Sequence, residues 1–203
     1  MATMNKDDMK RALFGTYPSK EIDTSTWKSF KIGDWFDIHP TKAYKLTNRD
    51  LFSEDGINPV IGNSSHNNGI TGYSNLDTTE ANIITFSDTT SGTNTMFYQD
   101  MKFIGYPHVQ GMYAREGKNI VYNKYTALFI ISSIRGITRK RFDYSDKMNR
   151  DIISSMEVKL PEKNDEPDWK YMEEYMRNTL EMAQKRLYVL QSVFSCLPSL
   201  TFI

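Results

Sequence analysis

Few residue sets in this 203-residue chain have the types and spacing to do chemistry. Asp146, followed by Glu157 and Lys159, imitates the carboxylates and lysine of metal-dependent nucleases, in which acids hold a divalent ion and lysine orients water. The same Glu157 and Lys159 also fit the wet face of a half-exposed strand in "MEVKLP". Charged residues make up 25% of the chain, so such a match arises readily by chance. His39, His66 and His108 are scattered and lack the i, i+4 spacing of a helical metal site. No glycine-rich loop ends in Lys-Ser/Thr, and no GxGxxG opens a helix. Cys196 is the single cysteine, which leaves no disulfide framework or thiolate cluster; beside Pro198 it reads as a buried, inert thiol. The sequence offers no self-sufficient active site: no catalytic set, no metal ligands and no cofactor are expected.

What remains is a surplus of side-chain amides. "PVIGNSSHNNGITGYSN", Pro59 to Asn75, holds more turn formers than one turn consumes. Gly62, Gly69 and Gly72 suit close backbone approach or positive φ and shape a loop. Ser65, His66 and Asn67 are the better candidates to point outward. "SDTTSGTN" (Ser87 to Asn94) is a second polar surface, and "GYPHVQGMYAREGKN" a third. "RGITRKRF" supplies a basic strip with Arg135, Arg139, Lys140 and Arg141. Lys+Arg and Asp+Glu balance at 25 each, so no global basic bias announces a polyanion, although a local strip can still bind phosphates. No secretory h-region or long apolar run is present, and the chain reads as cytoplasmic with no membrane partner.

The elements that must position these residues fall into zones. Residues 1–26 read as an N-terminal helix and linker, 27–166 as a β-rich domain, 167–197 as a long helix and 198–203 as a tail. Short runs rich in Ile, Val, Phe, Tyr and Thr read as strands: "WKSFKIGDWFDI", "NPVIG", "ANIITFS", "TMFYQ", "KFIGY", "NIVYN" and "SSMEVKLP". "KIGDWF" also fits a short helical turn capped by Asp34. "KYTALFIISSI" fits buried strand or helix, and "YSDKMNRDIISSM" fits a short helix capped by Ser145 or Asp146. From Pro167 the pattern changes. Trp169, Met172, Met176, Leu180, Ala183, Leu187, Leu190 and Phe194 step by three or four and draw one apolar stripe. Pro167 and Asp168 suit a helix start, and Pro198 suits a stop. The fold class expected is α+β, with a long C-terminal helix of coiled-coil type.

"WKSFKIGDWFDI", "NPVIGNSSHNNGITGY", "NIITFSDTTSGTNTMFYQDMKF", "LFIISSI" and "VKLP" with "PDWKYMEEYM" together resemble a target recognition domain. The family is the DNA-specificity subunit of type I restriction–modification systems and related fused enzymes. The resemblance spans roughly Trp27 to Phe194. It departs at "HPTKAY", which keeps Lys42 without the glycine usual before it. It implies a non-catalytic half-subunit, or one half of a longer subunit: one domain reading half of a bipartite duplex target, one spacer helix docking methyltransferase subunits and, with them, restriction subunits. The helix stripe would pair with a second copy in a homodimer. The implied DNA contacts are Lys42, Ser65, His66, Asn67, Thr89, Thr90, Ser91, Thr93, Asn94, His108, Gln110, Tyr113 and Arg115. Arg139, Lys140 and Arg141 would position the phosphate backbone. Competing functions are a Mg²⁺-dependent nuclease built on Asp146, Glu157 and Lys159, and an adaptor whose loops bind protein.

Overall fold

The structure, a computed structural model, describes residues 22–89, 94–141 and 148–196. Thr24–Glu173 form one compact unit, and the described residues from Glu174 onward belong to a second.

Two sheets organise the first unit. The larger has strand order β2-β8-β5-β6, with β2 Phe36–Pro40, β8 Val109–Ala114, β5 Ile83–Ser87 and β6 Phe97–Gln99, antiparallel throughout. The smaller has order β4-β3-β7. Here β3 (Asn58–Ile61) and β4 (Ile70–Ser74) make an antiparallel hairpin, and β7 (Ile104–Gly105) pairs with β3 in parallel. Ile61, Ile83, Phe103 and Val109 pack as one buried cluster drawn from both sheets. Tyr122 stitches β5 to β8: its hydroxyl accepts from Ile84 N and donates to Met112 O, each at 2.8 Å. Burial pushes that phenol far above the ordinary tyrosine range, so it stays neutral and able to donate.

β1 (Lys28–Lys31) pairs with β9 (Glu157–Leu160), and a 3-10 turn at Ile32–Asp34 joins β1 to β2. The turn expected in "KIGDWF" is therefore present, but Asp34 closes it; Lys31 holds the cap position without a side-chain bond. On β9 exposure alternates, with Val158 and Leu160 buried and Glu157 and Lys159 exposed. That is the ordinary period of a half-wet strand. Asp146 lies outside the described residues.

Between the strands lie α1 (Asn48–Leu51), α2 (Lys124–Arg141) and α3 (Arg150–Ser155). "KYTALFIISSI" is helix. Asn123 Oδ1 accepts from the backbone N–H groups of Tyr125 (2.9 Å) and Thr126 (3.3 Å), while Thr126 Oγ1 accepts from Asn123 N at 3.0 Å. This reciprocal cap satisfies the first free donors of the helix. α3 is capped by Asn149, whose Oδ1 accepts from Ile152 N at 2.9 Å. Ser145 and Asp146, the caps expected there, lie outside the described residues. "NIVYN" forms no strand. A small hairpin of β10 (Glu162–Lys163) and β11 (Glu166–Pro167) leads into α4, Trp169–Cys196.

α4 starts two residues later than the pattern placed it. Asp168 is the cap, its Oδ1 accepting from Tyr171 N at 3.0 Å. Trp169 and Met172 are buried. Trp169 meets Trp35 and Phe36 edge-on, at 5.9 and 6.1 Å between ring centroids. The aromatic entry segment and the helix start thus form one contact. Further along α4, Met176, Leu180 and Leu190 are half-buried, and Ala183 and Leu187 are exposed. Phe194 belongs to the helix, but its side chain lies outside the described residues. No described helix is long and apolar enough to cross a membrane.

Candidate nucleic-acid interface

The hairpin β3–β4 explains the surplus of amides. Its loop runs through three consecutive left-handed residues, Asn67 (φ 48), Asn68 (φ 53) and Gly69 (φ 83). Glycine and asparagine are the residues that tolerate this region. Gly69 N donates to His66 O, and Gly62 N to Gly69 O, each at 2.9 Å, which closes the loop. Asn68 then fastens it to β6. Its Nδ2 donates to Tyr98 O (3.2 Å) and Gln99 Oε1 (3.0 Å), and its carbonyl accepts from Gln99 Nε2 at 2.9 Å. Asn75 bonds Asp55, and Asn58 bonds Leu76 O. Asn68 and Asn75 therefore build the segment, and Asn58 anchors the residue before it. Ser65, His66 and Asn67 remain exposed at the tip, where Ser65 Oγ lies 3.2 Å from His66 Nδ1.

Strand register collects the other loops. Pro40 pairs with Gln110, Ser87 with Val109 and Thr85 with Phe97. The end of β5, the start of β6 and the start of β8 therefore share one end of the large sheet. Residues 88–89, 94–96 and 106–108 flank that end, and the 62–69 loop lies beside the β6 edge. Asp88 N donates to His108 O at 3.1 Å, tying residues 88–89 to 106–108. Thr89 is exposed, with its N–H donating to Ser87 Oγ at 3.2 Å; Asn94 is exposed also. Thr90, Ser91 and Thr93 lie outside the described residues. α2 reaches the same place: Arg135 Nη2 donates to Met96 O at 2.7 Å, and its guanidinium lies 5.9 Å from the Phe97 ring centre. Arg139, Lys140 and Arg141 follow in the last turn of α2, with side chains outside the described residues.

Other expected contacts are not part of this cluster. "GYPHVQGMYAREGKN" is not an open loop, because β8 occupies its middle. Gln110 is 3% exposed and donates through Nε2 to Asp88 Oδ2 at 2.6 Å, which holds its side chain in the interior. Tyr113 is half-buried, stacked on His39 with centroids 3.9 Å apart, and donates to Glu80 Oε1 at 3.1 Å. Burial first, and then the Glu80 carboxylate, hold its phenol well above the usual range. Arg115 sits at the opposite end of the sheet and is engaged by Asp37, with Nε at 3.0 Å and Nη2 at 2.9 Å from Oδ1. Lys42 is exposed. Its N–H donates to Glu80 Oε1 (2.9 Å) and its carbonyl accepts from Thr79 Oγ1 (2.7 Å), so the turn holds without the missing glycine.

Two residues of the cluster escaped the sequence pattern. Asp88 carries His108 and Gln110, and Asn68 carries the loop. The signal for Asp88 was an Asx residue placed directly after a strand, where it opens a turn. Among the described residues no group of three His, Cys, Asp or Glu side chains is disposed to hold a metal ion.

Comparison with known proteins points the same way. Residues 24–191 match the family model described as the type I restriction modification DNA specificity domain. The specificity subunit S.BcgI of the type II restriction enzyme BgcI from Heyndrickxia coagulans is 27% identical over 169 residues, covering 80% of this chain and 46% of that protein. Among solved structures, the type I restriction–modification S subunit from M. genitalium superposes with a TM-score of 0.58 at 14% identity, covering 93% of this chain and 49% of its own. The HsdS subunit from Thermoanaerobacter tengcongensis gives 0.54 at 9% identity, covering 91% and 44%. These likenesses establish the α+β fold, and this chain spans about half the length of each relative. With most of its length matched by that family model, the chain belongs to the type I restriction modification DNA specificity domain family.

Proposed function

We propose that this chain is a sequence-specific reader of duplex DNA without catalysis of its own, acting in the cytoplasm as a specificity subunit or half of one. The observation that carries this reading is the convergence of the 62–69 loop, residues 88–89 and 94–96, and His108 at one sheet end, in a member of a DNA specificity family. Ser65, His66, Asn67, Thr89 and Asn94 present donors and acceptors suited to base edges. The basic end of α2 supplies phosphate contacts that set register without reading sequence. Methyl transfer and cleavage then belong to methyltransferase and restriction subunits that dock on the chain.

A neutral chain neutralises few phosphates alone. Binding is therefore weak for the single chain and tight with methyltransferase subunits. Fluorescence anisotropy against duplex DNA over a salt series tests this. Log affinity falls against log salt with a slope of about −0.9 per phosphate contact. Salt-independent binding, or equal affinity for all sequences in the assembled complex, would sink the proposal.

A further inference from the structure

The sheet end where Ser87 pairs with Val109 carries a relay of three side chains. His108 has a left-handed backbone (φ 67), an uncommon state for a residue with a Cβ, and its side chain is 64% exposed. Its Nδ1 lies 3.3 Å from Asp88 Oδ1. The other carboxylate oxygen, Oδ2, accepts from Gln110 Nε2 at 2.6 Å. Gln110 is buried, and its Oε1 has no hydrogen-bond partner among the described residues. Leaving a buried carbonyl oxygen unpaired is unfavourable, so the amide is held there by what its NH₂ does. Turning it over would set oxygen against carboxylate. Gln110 therefore fixes Asp88, and Asp88 faces one nitrogen of an exposed imidazole.

We propose that His108 reads a base, with its tautomer set by Asp88, and that it presents Nε2 to DNA as a hydrogen-bond acceptor. The inference rests on the DNA-reading function above and deepens it. A carboxylate beside Nδ1 favours the proton on that nitrogen, and a neutral imidazole then keeps its lone pair on Nε2. In the major groove only the exocyclic amines of adenine and cytosine donate; guanine offers O6 and N7, both acceptors. The negative charge of Asp88 behind the ring also disfavours a phosphate at this point. Gln110 and Asp88 are positioning residues, and His108 makes the contact.

The relay makes a directional test possible. In Asp88→Asn the new carboxamide must keep its oxygen toward Gln110 Nε2, so its NH₂ faces His108 Nδ1. The imidazole proton then moves to Nε2, which becomes a donor. The full chain, assembled with methyltransferase subunits, is incubated with a randomised duplex DNA library, and bound sequences are read for wild type, Asp88→Asn and His108→Asn. Asparagine at 108 tolerates the left-handed backbone, so the fold is retained. In the wild type, one position selects adenine or cytosine by on the order of tenfold. His108→Asn erases that position alone, and Asp88→Asn turns it toward guanine or thymine, whose major-groove O6 and O4 accept. Long-range ¹H–¹⁵N spectra of the imidazole report the proton on Nδ1 in the wild type and on Nε2 in Asp88→Asn. A uniform loss at every position in either variant, unchanged selection in His108→Asn, or a wild-type preference for guanine at that position overturns the inference. A wild type with no preference at any position overturns the DNA-reading function itself.

Discussion

At the residue scale, the amide-rich loop separates two jobs that composition had merged. Asn68 makes the loop, whereas Ser65, His66 and Asn67 stand free of the β6 edge that holds it. Removing the Asn68 side chain leaves Gln99 Oε1, inside a buried residue, without that donor. Asn68→Ala is expected to cost about 1–3 kcal/mol from the lost bonds. It also places a Cβ residue that lacks a local hydrogen-bonding group in left-handed backbone, a further cost of roughly 1–2 kcal/mol. Asn68→Gly loses the same bonds without that second term. Urea unfolding should rank wild type above Gly, and Gly above Ala. Equal stability of Gly and Ala would show that backbone conformation is not what selects asparagine here.

At the element scale, what the sequence hid was partner geometry. "LFIISSI" carries no period that separates strand from helix, yet the reciprocal cap between Asn123 and Thr126 was written just upstream of it. Gln110 and Arg115 looked equivalent in a polar stretch. Only the pairing of β8 with β2 and β5 turns one into the interior and sends the other to the far end of the sheet. The framing motifs were legible because they pack on one another: Trp35 and Phe36 from the entry segment meet Trp169 from the helix start. The glycine of the entry motif has its own cause. A Cβ on Gly33 would lie 2.7 Å from the Ser154 carbonyl oxygen, which α3 holds in place. Gly33→Ala is expected to destabilise by about 1–3 kcal/mol through overpacking. Gly136, inside α2, has nothing within 4 Å of an added Cβ, so Gly136→Ala is expected to stabilise by up to about 1 kcal/mol. Opposite signs in paired denaturant titrations check both; a neutral Gly33→Ala would dissolve the packing account of that motif.

At the scale of the whole molecule, α4 carries exposed apolar side chains for a partner to cover. The helix has 28 residues, about 42 Å at 1.5 Å per residue, and every residue from Glu181 to Tyr188 is exposed. Leu187 is 55% exposed and Tyr188 71%, with Met182 also open to solvent. The stripe had included Leu187 but not Met182 or Tyr188, so the open apolar surface is wider than one seam. Large exposed apolar groups gathered on one element mark an association surface. The reading proposed is antiparallel pairing with a second copy, which would carry two DNA readers at opposite ends of a stiff spacer. Two-fold symmetry then requires a palindromic target whose half-site spacing the helix fixes. Leu187→Glu with Tyr188→Glu changes exposed positions only and should leave circular dichroism unaltered. Sedimentation equilibrium should find a dimer for the wild type and a monomer for the double variant. The variant should also lose the palindromic target and bind one half-site, more weakly than the wild type binds the pair. A wild-type chain that stays monomeric at high concentration, or a double variant that still dimerises, would remove α4 as the self-pairing element.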